Sequence, residues 1–105
     1  MDIRPIDELR ASGRMTWAED HRAWVAQPDE IVSALSHCGF NEYKREETRS
    51  GRGREPSGGV WQGIDVAGSV ASAVWVNRPD ASIVYIDIDG EPLSSEGASP
   101  PSEAG

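Results

Sequence analysis

The sequence is short of thiols, of bases and of long apolar runs, and each shortage excludes something. Its one cysteine, Cys38, cannot close an internal disulfide or build a multi-cysteine zinc site. The apolar run at residues 83–86 is only four residues long, far below the ~20 that a membrane-spanning helix needs. The opening Met1-Asp2-Ile3-Arg4-Pro5 lacks the apolar stretch of a signal peptide. Ten bases face 18 acids, a net charge of −8, and a general nucleic-acid binder needs a basic face instead. At 105 residues there is material for one domain. These shortages predict a soluble, cytoplasmic, acidic domain with no membrane contact and no direct nucleic-acid contact.

What is present is unevenly placed. Residues 41–54 hold five bases, Lys44, Arg45, Arg49, Arg52 and Arg54, whereas residues 79–105 hold six acids and no base. Residues 91–105 carry one aliphatic side chain larger than alanine, Leu93, too little to offset the entropy of ordering them. The composition therefore predicts a single α+β domain over 1–90 and a disordered acidic tail over 91–105. Residues 50–59, rich in glycine and serine around Pro56, read as a loop.

The first half carries helical signals. Residues 5–10 fit a short helix stopped by Gly13. Thr16 and Glu19 have capping-box spacing, and Trp17, His21, Trp24 and Val25 follow on one helical face. Pro28 suits the first turn of a further helix, Ile31, Ala34, Leu35 and Cys38 form its apolar stripe, and Gly39 ends it.

The second half reads as strands: a charged edge candidate over 40–49, then 60–67, 70–77 and 82–89. Odd-length turns at Gly68-Ser69 and at residues 78–80 sort Val60, Ile64, Val66, Val70, Val74, Val76, Val84, Ile86 and Ile88 onto one face. A two-residue Gly68-Ser69 turn would break that partition. The expected fold class is α+β: two or three N-terminal helices on one face of a three- to four-stranded antiparallel sheet.

On that register the opposite face carries Trp61, Trp75 and Tyr85, rimmed by Asp65, Asp87 and Asp89. Tryptophan and tyrosine bury much area with few rotatable bonds, which suits them to binding hot spots. These six residues are the candidate partner-binding site. Cover by another part of the chain or by a second copy, making a homodimer, is the competing reading.

Other chemistry is thin. Asp87 and Asp89, two apart on a strand, point the same way, and Asp65 could join them in an oxygen-rich Mg²⁺ or Ca²⁺ site. The motif is too short to be an EF-hand loop, so no metal or other cofactor is assigned. His37 and Cys38 are adjacent on a helix and cannot pair directly. Gly51-Arg52-Gly53 is an incomplete phosphate loop, and the acids among the bases of residues 44–54 dilute any phosphate-binding field.

These observations favour a small acidic, non-enzymatic binding protein that occludes a protein partner with a basic, nucleic-acid-handling surface. Inhibitors of immunity or anti-defence type, anti-CRISPR proteins among them, share this size and charge, and no motif joins the chain to them. The alternative is a metal-dependent enzyme or metal-binding protein built on the Asp65, Asp87 and Asp89 cluster.

Overall fold

The computed structural model describes residues 4–48 and 57–93. Two helices lie among them, α1 (Arg4–Ala11) and α2 (Pro28–His37). Seven strands make one antiparallel sheet: β1 (Thr16–Ala18), β2 (Ala23–Val25), β3 (Asn41–Thr48), β4 (Gly58–Ile64), β5 (Val70–Asn77), β6 (Ser82–Ile88) and β7 (Glu91–Pro92). Their order is β1-β2-β6-β5-β4-β3, with β7 pairing the free length of β6. Of the described residues, 46% are strand and 22% helix, so they are mostly sheet. The expected α+β class, two or three helices on a small sheet, is corrected accordingly.

The largest departure lies at residues 16–25, where a helix was expected. They form a β-hairpin, closed by a turn in which Arg22 has φ +51°. Trp17 and Trp24 sit opposite each other, with ring centroids 5.1 Å apart and planes at 76°. Aromatic and β-branched residues favour a half-buried strand when a neighbouring strand is there to pack on. Here β6 is that neighbour, and Trp24 pairs with Val84. Glu19, one end of the apparent capping box, accepts the Trp17 indole N–H at 3.1 Å instead. His21 sits in the turn 3.7 Å from Asp20, not on a helical face.

The α2 signals describe what forms. Pro28 opens the helix, Asp29 and Glu30 lie in its first turn, and Ile31, Val32, Ala34 and Leu35 are buried. Gly39 takes φ +109°, which lets the Phe40 N–H return to the Leu35 carbonyl at 3.2 Å.

Two turns set the faces of the sheet. Between β4 and β5, Asp65 N–H donates to the Ser69 carbonyl at 2.9 Å, which leaves a three-residue loop ending in Gly68 at φ +92°. That turn is odd, as expected, and it puts Ile64 opposite Val70 and Val60 opposite Val74. Between β5 and β6, Arg78 and Ala81 exchange both backbone bonds across Pro79-Asp80. That turn is even. Proline has φ already set for the first central position of a two-residue turn, which draws Ala81 into the pairing. The one-residue difference flips all of β6, so Val84, Ile86 and Ile88 face away from Val60, Val74 and Val76.

The chain then turns back through Asp89 (φ +55°) and Gly90 (φ +85°), the pair of positive angles a type I′ hairpin requires. Glu91 and Pro92 pair with β6, and Leu93 packs on the core, its carbonyl accepting the Trp24 indole N–H at 3.1 Å. Three residues of the expected tail thus belong to the fold, and 94–105 lie outside the described residues. Truncation after Gly90 should therefore lower the melting temperature by several degrees, about 2–4 kcal/mol, because it removes the Trp24–Leu93 and Leu93–Ile86 hydrogen bonds, the β7 pairing and the Leu93 apolar contact. Truncation after Leu93 should restore it. Equal melting curves for the two truncations would disprove the docking.

Candidate functional site

The sheet has one covered face and one open face. On the covered face Gly59, Trp61 and Gly63 of β4 lie beside Ala71, Ala73 and Trp75 of β5, then Val84 and Ile86 of β6. Small residues alternate with large rings because the rings need the room. A Cβ at Gly59 would collide with the Trp75 ring and stand 2.8 Å from the Glu46 carbonyl oxygen. One at Gly63 would meet the Trp61 ring and stand 3.1 Å from the Asn41 carbonyl oxygen. Trp61 is 0% exposed and Trp75 8%, and both belong to the core with Ile31, Leu35 and Phe40. The grouping of Trp61, Trp75 and Tyr85 on one exposed face is thereby corrected. Tyr85, 46% exposed, lies on the opposite side of the sheet from both tryptophans.

Trp61 also reaches a charge. Its indole N–H donates to Glu42 Oε1 at 2.8 Å, and Arg45 Nη2 donates to the same oxygen at 2.9 Å. Both favour the ionised carboxylate, the indole bond most, and they hold Glu42 below its usual carboxylate range. The folded state therefore releases this proton more readily than the unfolded chain. Its stabilisation is complete above the ordinary value of 4.5 and is lost as pH falls through the lowered one. Glu42→Gln should lower the melting temperature at pH 7 and flatten its fall below pH 4.5. Parallel acid titrations of the two proteins would disprove the coupling.

The three aspartates do not converge. Asp65 Oδ1 accepts the backbone N–H groups of Ala67 and Ser69, at 2.9 and 2.8 Å, tying its own turn. Asp89 stands in the type I′ turn, and its Oδ1 accepts the Val70 N–H at 3.0 Å. Asp87 is exposed on the open face, opposite Ser72. Among the described residues no group of three or more His, Cys, Asp or Glu side chains is placed to hold a metal ion. His37 and Cys38 diverge as expected of helix neighbours: His37 Nδ1 meets the Ser33 carbonyl at 2.7 Å, and Cys38 is buried in the core. A cleft of about 430 Å³ between α1 and α2 is crossed by the 3.2 Å Arg14–Glu30 ion pair. Of the basic stretch, Lys44 and Arg45 are on β3, while Arg49, Arg52 and Arg54 lie outside the described residues.

What sequence reasoning missed is the open face itself. The register places Val60, Gln62 and Ile64 of β4 there, with Val70, Ser72, Val74 and Val76 of β5 and Ile83, Tyr85 and Asp87 of β6. Val25 of β2 adjoins Ile83. Val74 and Val76 are each 38% exposed and Ile64 40%. Lys44 and Glu46 of β3 form one margin, opposite Gln62 and Val60. The signal was present in the alternation of valine with alanine and tryptophan along β5, but it needed the even Pro79-Asp80 turn to show which set is covered. None of the described helices is long and apolar enough to cross a membrane. No protein-family model matches this chain, and no curated protein or solved structure matches it significantly.

Proposed function

We propose that this chain is a non-enzymatic protein-binding module whose contact surface is the open face of the sheet. The observation that carries the reading is a continuous band of valine, isoleucine and tyrosine side chains across β4, β5 and β6, with neither described helix over it. Apolar patches of this kind mark interaction sites in soluble proteins. Tyr85, half exposed at the middle of β6, has the shape of a hot-spot anchor. The net charge of −8 directs the module towards a basic partner by speeding encounter. An inhibitor of immunity or anti-defence type, masking a basic nucleic-acid-handling surface, has these two properties together.

The test is a photo-crosslinking amino acid placed at Val74, on the open face, and in a second protein at Ser33, on α2. Irradiation in the source cells should give a discrete adduct with a basic protein from position 74 alone. Tyr85→Ala should weaken it, and added salt should slow its formation. Identical adduct patterns from both positions would overturn the reading.

A further inference from the structure

The polar residues of the open face are arranged with a symmetry that the apolar band does not reveal. We infer that, in the absence of another partner, a second copy of this chain closes the face, related to the first by a twofold axis parallel to the strands between β4 and β5. The inference rests on reading this face as a protein interface and says what occupies it.

The observation that carries it is a single row across four strands: Asp87 on β6 faces Ser72 on β5, Ser72 faces Gln62 on β4, and Gln62 faces Lys44 on β3. An acid stands at one end, a lysine at the other, and a hydroxyl and an amide between them. A twofold axis along the strands exchanges left and right across the sheet and leaves height along the strands unchanged. It lays Asp87 over Lys44 of the second copy and Ser72 over its Gln62, and each contact occurs twice. The neighbouring row obeys the same rule. Tyr85, Val74, Val60 and Glu46 face one another in turn, so the tyrosine hydroxyl meets a carboxylate and valine meets valine. Val70 likewise falls on Ile64. An axis across the strands lacks this property, because it returns β6 to β6 and β3 to β3.

Two further facts agree. Among the described residues neither Lys44 nor Asp87 has an ion-pair partner, so both charges are available to the second copy. Four strands ~4.8 Å apart and seven residues of ~3.3 Å cover roughly 19 by 23 Å in projection. With side-chain relief on both copies, that approaches the ~1,200–2,000 Å² of total burial typical of specific interfaces. Two sheets packed in this way lie ~10 Å apart and rotated by ~30°, and the long lysine side chain spans the offset this opens at the ends of the row.

The test is sedimentation equilibrium of the full chain with a charge exchange. Wild type should be dimeric at about 100 µM. Lys44→Asp and Asp87→Lys should each weaken association at least about tenfold, since each turns both contacts of its dimer from attractive to repulsive. Their melting curves at low concentration should match wild type. An equal mixture of the two variants should recover the dimer, because the mixed pair has both contacts attractive again. A monomeric wild type, a dimer indifferent to both substitutions, or a mixture no more associated than its components would overturn the inference. A monomeric wild type that still crosslinks a basic protein from position 74 removes the second copy alone. A monomer with no such adduct removes the protein-interface reading as well.

Discussion

Trp61→Ala should cost about 3–5 kcal/mol, the loss expected for truncating a fully buried aromatic ring. A domain of this size has about 5–15 kcal/mol in total, so the variant should be partly unfolded at 37 °C. The ring is 0% exposed, and it lies over Gly63, where a Cβ would meet it, opposite Ala73 on β5. Its removal opens a cavity between α2 and the sheet and takes the indole donor from Glu42. The urea midpoint should fall with little change in slope. A stable Trp61→Ala protein would place the ring outside the core and return it to the partner surface expected from sequence.

Ile86→Asp and Val74→Asp should have opposite outcomes. The two residues lie on adjacent strands and were expected on one aliphatic face. Ile86 is 2% exposed on the covered side, and an aspartate there is an unpaired charge among Trp61, Ala73 and Leu35. That protein should fail to fold. Val74 is 38% exposed on the open side, and aspartate there should keep stability within about 1 kcal/mol of wild type. It should nevertheless abolish the proposed association through the face, since it puts two charges near the proposed twofold axis. Circular dichroism and sedimentation of the two proteins give the result directly. A folded Ile86→Asp together with an unfolded Val74→Asp would reverse the assignment of faces.

Several elements were legible, although the fold class was not. Pro28 and Gly39 bracket α2, Gly13 follows α1, three strands lie near the residues their β-branched and aromatic content indicated, and a fourth lies at the charged edge candidate. What stayed hidden depended on contacts distant in sequence. Residues 16–25 have helical spacing and also strand-forming side chains, and only the β6 edge, some sixty residues on, selects the strand. The faces of the sheet hung on whether Ala81 joins the turn or the strand. Aliphatic count then favoured the wrong partition, because the true interior is filled by three tryptophans set among glycines and alanines. Volume, not hydrophobicity, distinguishes the two faces. The candidate site suffered from the same ambiguity. Tyr85 and Asp87 are on the open face, Trp61 and Trp75 are beneath it, and Asp65 and Asp89 are spent on turns.

The unlike composition of the two faces governs how the protein can change over generations. On the covered face, Gly59 and Gly63 each lie against a tryptophan ring, and Ala71 and Ala73 are fully buried beside them, so a larger residue at the glycines displaces a ring and one at the alanines overpacks the core. Those positions can accept substitutions only in concert. The opposite side is under no such restraint, since Val60, Val74, Val76 and Tyr85 project outward and can be exchanged one at a time at little expense to folding. Selection acting on the open face therefore has a surface on which to work without touching the scaffold. Lineages descended from this chain should keep their glycines and tryptophans while their valines and tyrosine diverge, so that the open face drifts faster than the architecture.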